Sequence, residues 1–99
     1  MIRADETEIV GSWLVIDGRV RGDETCERVH ELTEANLERL GYSREGGGWE
    51  TLFRDPDDGR LWERWYPQSH MHGGGPPALK VLWEAEAKDK YPDVFAEQE

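Results

Sequence analysis

The residues able to do chemistry are few and scattered. His70-Met71-His72 is an H-x-H pair, and Cys26 and His30 stand four apart on what reads as a helix. Four such side chains can surround a zinc ion. No C-x-x-C or H-x-x-x-H brackets them, and free cysteine usually packs as a small apolar group. A thiolate nucleophile needs an electropositive surrounding. Glu24 and Glu27 flank Cys26 and push the other way. Glu50 and Glu63 fall on what read as facing strands, as a carboxylate pair for acid–base work would. A solvated sheet edge explains them equally, with Arg54, Arg60 and Arg64 close in sequence.

Two segments imitate known binding loops and fail on spacing. In Asp55-Pro56-Asp57-Asp58-Gly59 the glycine is fifth, and the twelfth position from Asp55 is Tyr66 rather than a glutamate. A calcium loop needs glycine sixth and glutamate twelfth, so a tight turn is the expectation. Gly73-Gly74-Gly75-Pro76-Pro77 lacks the Lys-Ser/Thr end of a phosphate loop. Its glycines permit positive φ, and its prolines enforce an extended entry into the next strand.

The aromatic residues say more. Trp62, Arg64 and Tyr66 alternate onto one face of a strand, and Leu61, Glu63 and Trp65 onto the other. Either the fold covers both faces, or one tryptophan lies in a binding surface.

These residues need elements to hold them. Glu8 to Val20 reads as strand material closed by an Asp17-Gly18 turn. Asp23 to Leu40 reads as one long helix, capped by Asp23 or Thr25 and stopped by Gly41. Its apolar face runs through Cys26, Val29, Leu32 or Thr33, and Asn36 or Leu37 to Leu40, and Glu27, Glu31, Glu34 and Glu38 fall on the other side. Trp49 to Arg54, Arg60 to Tyr66 and Ala78 to Trp83 read as strands, with Leu79, Val81 and Trp83 on one face. Glu84 to Tyr91 reads as a short helix closed by Pro92. The expected fold is a single α+β domain over residues 1–99, core about 8–91. It has a small antiparallel sheet, one long amphipathic helix packed on one face, and a short C-terminal helix.

Composition narrows the function. The chain has 99 residues, with 12 Lys and Arg against 22 Asp and Glu, a net charge of −10. Phosphate binding requires a cationic footprint, so direct contact with nucleic acid is not expected. Five tryptophans, three tyrosines and two phenylalanines speak for a folded chain. One cysteine rules out an internal disulfide and fits a reducing compartment. The first residues carry no apolar signal, and no run is long enough to span a membrane. A cytoplasmic protein without cofactor or membrane anchor is the expectation.

Several segments in order carry a resemblance. They are Glu8-Ile9-Val10-Gly11-Ser12-Trp13, Gly48-Trp49-Glu50-Thr51-Leu52, Asp55-Pro56, Trp62-Glu63, Tyr66-Pro67-Gln68-Ser69, His72-Gly73-Gly74-Gly75-Pro76-Pro77 and Ala87-Lys88-Asp89-Lys90-Tyr91. Together they resemble the Immunity protein 27 family of bacterial polymorphic toxin systems, over about residues 8–91. The resemblance implies a non-enzymatic protein that binds a cognate toxin domain and blocks its active site, as a monomer or in a one-to-one heterodimer. On that reading Trp13, Trp49, Asp55, Pro56, Trp62, Tyr66, Pro67, Gly73, Gly74, Gly75, Pro76 and Pro77 define the fold.

Net charge adds a mechanism. A nuclease or ADP-ribosyltransferase type of toxin presents a basic cleft, which an acidic partner meets quickly. The expected contacts are Glu31, Glu34, Glu38, Asp57, Asp58, Glu63, Trp65, His70 and His72. The rival reading is a small metal-dependent or acid–base enzyme using His70, His72 and Glu63, with His30 as a further candidate.

Overall fold

The computed structural model describes residues 2–43, 50–67 and 75–96. Among these described residues, seven strands and three α-helices follow one another. They are β1 (Glu8–Val10), β2 (Trp13–Ile16), β3 (Arg19–Gly22), α1 (Glu24–Glu31), β4 (Glu38–Tyr42), β5 (Thr51–Arg54), β6 (Leu61–Trp65), β7 (Ala78–Leu82), α2 (Glu84–Lys90) and α3 (Pro92–Ala96). Five strands form an antiparallel sheet in the order β1-β7-β6-β5-β4, and β2 and β3 form a hairpin of their own.

The hairpin forms at the expected dipeptide. Asp17 (φ 53°) and Gly18 (φ 75°) both take positive φ, the geometry of a tight two-residue hairpin turn. The run expected from Glu8 to Val20 breaks at Gly11-Ser12. There β1 joins the main sheet beside β7, and β2 leaves to pair with β3. Gly11 is required at this branch: a Cβ there would lie 2.6 Å from Cys26 Sγ and 2.7 Å from the Pro77 carbonyl oxygen.

The long helix is shorter than its apolar spacing predicts. Asp23 caps α1 by accepting the Cys26 backbone N–H at 2.9 Å, as expected. After Glu31 the chain continues only through a five-residue π-helical turn, Leu32–Asn36, and Leu37 is extended. The Thr33 hydroxyl donates back to the Val29 carbonyl at 2.9 Å, a bond that competes with regular helical pairing. Residues expected as the last helical turn become β4 instead. Gly41 therefore lies in a strand at a register shift rather than at a helix stop.

The sheet is covered on both faces, one of the two outcomes that the tryptophans on both faces of one strand left open. On one face α1 and the π turn bring Val29, Leu32 and Leu37 onto Ile9, Phe53, Trp62 and Leu79. On the other, Ala87 and Tyr91 of the C-terminal segment pack on Leu52 and Leu82, with Leu40, Leu61, Val94 and Phe95 around them. The reason is the central strands. Thr51, Leu52 and Phe53 are consecutive and all buried, so both faces of β5 need a cover. The helix from Glu84 ends at Lys90, just before Pro92, as expected, and Pro92 also opens α3, because proline is well suited to a first helical position. Trp83 leaves the strand face it was expected to share with Leu79 and Val81. It stands 71% exposed just before α2.

Candidate functional site

The acidic residues considered as contacts, with their neighbours, fall into three places. The first is the outer side of α1 and its π turn, where Glu24, Glu27, Glu31 and Glu34 are all exposed. Their spacing keeps them on one helical stripe, and none of them makes an ion pair among the described residues.

The second place is the end of the sheet around the β5–β6 turn. Asp57 and Asp58 are exposed in this turn, as read from the sequence. Asp58 is already engaged: it accepts from the Arg60 backbone N–H at 2.9 Å and from Arg60 Nε at 2.6 Å. The first of these bonds, helped by the second, holds its carboxyl below the usual range. Asp57 has no ion pair among the described residues. Asp55 is buried and organises the turn, accepting from the Asp57 N–H at 2.9 Å, with Pro56 exposed beside it. Glu38 sits on β4 instead of on the helix, bonded to Arg54 at 2.6 Å across the strand pair.

The third place is the sheet face under α2. Glu63 is 0% exposed, so it cannot be an outward contact as expected from the strand pattern. Its Oε2 accepts from the Tyr91 hydroxyl at 2.6 Å and lies 2.8 Å from Lys90 Nζ. Its Oε1 makes no hydrogen bond and has Lys80 Nζ 3.5 Å away. Lys90 also donates to Glu50 at 2.6 Å, so the two carboxylates read as a pair do meet, through one ammonium. The arginines suggested as their partners are elsewhere. Burial works against the Lys90 charge, but the Glu50 and Glu63 carboxylates more than offset it and raise its pKa. Burial, reinforced by the Glu63 carboxylate, pushes the Tyr91 phenol far above its usual value.

Trp65 lies beside this network, half-buried, with Lys80 Nζ 4.1 Å from its ring centroid. Trp62 is wholly buried on the opposite face against α1. Lys90 and Tyr91 stand in one of the segments that carry the resemblance, but no site role was read for them, and Lys80 was not singled out. Nothing in their spacing points to Glu63.

Cys26 is buried and donates its thiol to the Ser12 carbonyl at 3.3 Å. Its pKa is raised first by burial, with the Asp23 side chain adding to the effect, rather than by Glu24 and Glu27. His30 is exposed on α1. Among the described residues no three His, Cys, Asp or Glu side chains cluster as metal ligands would. Of the residues assigned to the fold, Trp13, Tyr66, Pro67 and Pro77 are half-buried, and Gly75 and Pro76 are buried. Gly75 takes φ 77°, and the Pro77 carbonyl accepts from Gly11 at 3.0 Å. His70, His72, Trp49, Gly73 and Gly74 lie outside the described residues.

Fold and site together define a small acidic α+β domain. Among the described residues, Glu63 serves the chain's own packing, and the carboxylates of Glu24, Glu27, Glu31 and Glu34 are exposed without an ion pair. The chain belongs to the Immunity protein 27 family, whose model matches residues 15–83 of the 99. It is thereby an immunity protein of a toxin system, with a toxin as the implied partner. No curated protein and no solved structure matches the chain. No helix among the described residues is long and apolar enough to cross a membrane.

Proposed function

We propose that the chain neutralises a cognate polymorphic toxin domain, in the cytoplasm of the producing cell, by binding it and covering its active site. One chain takes one toxin domain, and no catalysis or cofactor is involved. The observation that carries the mechanism is the stripe of Glu24, Glu27, Glu31 and Glu34, whose carboxylates are exposed and make no ion pair among the described residues. Asp57 extends the acidic surface at the turn. A cleft that holds nucleic acid or a dinucleotide is basic, and such a stripe supplies the opposite sign. Attraction of this kind raises the association rate and weakens as salt screens it. Glu31 and Glu34 are the central contacts. Trp65 and the His70–His72 segment are retained as further contacts, whereas Glu63 holds the fold.

The acid–base enzyme reading loses its central residue, since Glu63 is closed off by Tyr91 and Lys90. The test is co-expression with the C-terminal domain of the toxin gene beside this one, scoring growth and co-purification. Rescue of growth with a stable complex supports the proposal. A toxin domain that still kills and does not co-purify overturns it.

A further inference from the structure

The β2–β3 hairpin is a different kind of surface. Four of the large apolar side chains left exposed belong to it: Leu14, Val15, Ile16 and Val20. Val15, at 73%, is the most exposed of them. Val15 and Val20 pair across one face, while Leu14 and Ile16 lie on the other opposite Arg21 and Arg19. Among the described residues the hairpin pairs with no strand of the main sheet. An isolated two-stranded hairpin is marginal in water, and three or more strands are usually needed for independent stability.

Its two edges differ. β3 carries Arg19 and Arg21, the sort of charge that protects an edge from pairing. β2 is Trp-Leu-Val-Ile, without a charge, and its outer edge is unpaired among the described residues. An uncharged apolar edge strand is a site for adding another strand. Charge selects the occupant. Residues 13–22 hold two arginines and one aspartate, so the hairpin is slightly cationic in a chain of net charge −10. A second acidic copy meets less repulsion at this hairpin than the net charge of the chain implies.

We infer that the outer edge of β2 pairs antiparallel with β2 of a second copy, giving a two-fold symmetric dimer through a four-stranded sheet. A two-fold axis through Val15 sets Val15 against the partner's Val15 and Leu14 against the partner's Ile16. Alternation of side chains keeps each pair on one face. Arg19 and Arg21 line the far edges and stop the sheet from growing.

Self-association and toxin capture use different surfaces and respond to salt in opposite directions. Two copies of charge −10 repel, so salt strengthens the dimer by screening. An acidic stripe on a basic cleft weakens under the same change. The experiment is sedimentation equilibrium of the purified full chain over a concentration series, at low and high salt. The wild type should form dimers that tighten with salt. Val15→Lys, a change at an exposed position, should weaken dimerisation at least about tenfold by charging the edge. Ile16→Lys should act likewise, and near-UV circular dichroism checks that both variants keep the fold. Glu31→Lys with Glu34→Lys should leave the dimer intact. A wild type that stays monomeric throughout overturns the dimer. So does a dimer that Val15→Lys and Ile16→Lys do not affect, or one that salt dissociates. A monomer whose Val15→Lys variant fails to hold the neighbouring toxin domain also overturns it, and assigns the hairpin to the toxin.

Discussion

The Tyr91 hydroxyl donates to Glu63 Oε2 at 2.6 Å, and both residues are sealed between the sheet and the C-terminal helices. This bond ties the end of α2 to the middle strand of the sheet. Lys90, the preceding residue, approaches the same oxygen at 2.8 Å. A buried carboxylate is tolerable only with such partners. Tyr91→Phe keeps the ring and removes the donor. It should cost about 1–3 kcal/mol in urea unfolding, the range for leaving a buried acceptor short of a partner. Lys90→Met removes the nearest cation and should cost about 3 kcal/mol or more. A near-zero change for both would mean that water or Lys80 satisfies Glu63.

The acid side of the stability profile should be governed in part by Glu6. Arg28 grips it with two hydrogen bonds, Nη1 to Oε2 at 2.8 Å and Nη2 to Oε1 at 2.7 Å. Those bonds to Arg28, with the Arg3 backbone N–H adding to them, lower its pKa from 4.5 to about 2. A folded-state value below the unfolded one stabilises the fold above pH 4.5, and that contribution is lost as pH falls toward 2. Arg28→Met should therefore flatten the loss of stability across that window. Denaturation at a series of pH values reads this directly.

On the alkaline side the sign reverses. Tyr91 is raised by burial and by Glu63, and Lys90 is raised because its two carboxylates outweigh its burial. Groups raised in the folded state stabilise it below their unfolded values of 10.0 and 10.5. That stability is lost as pH climbs beyond them. Tyr91→Phe should make the decline above pH 10 shallower than in the wild type, in the same denaturation series.

Gly11 tests the branch between sheet and hairpin. An added methyl meets Cys26 Sγ and the Pro77 carbonyl at well under contact distance. The carbonyl belongs to backbone that also accepts the Gly11 N–H, so it cannot easily retreat. Gly11→Ala should cost about 1–3 kcal/mol in chemical denaturation, as overpacking usually does. Gly18→Ala, at φ 75° with open space around it, should cost less and only through backbone strain.

Reversing charge on the outer side of α1 probes the toxin surface without touching the core. Glu31→Lys with Glu34→Lys should slow association with the toxin domain about tenfold or more at low salt. The difference from wild type should shrink as salt rises, measured by stopped flow or surface binding kinetics. Unfolding should change by no more than about 0.5 kcal/mol, as expected for exposed positions.

Much of the local structure was legible in the sequence. Asp17-Gly18 fixed its hairpin, Asp23 its helix cap, and Asp55 to Gly59 its turn, because each depends on neighbours in the chain. Family membership was legible too, through an ordered set of short segments, and the match over residues 15–83 confirms it. Leu37 and Leu40 were not legible, since a 3–4 spacing of apolar residues also suits a π turn followed by an edge strand. Each lands on a different face of the sheet.

The sequence by itself determined the charge, the turns and the stock of aromatic residues. Tertiary structure alone decided which acids remain available. Glu31 and Glu63 are the same residue type. One faces solvent on a helix, and the other is enclosed by Tyr91, Lys90 and Lys80 from segments 17 to 28 residues away. A carboxylate's role follows from which charges and donors surround it in space, and those partners are set by strand pairing and helix packing across long sequence separations.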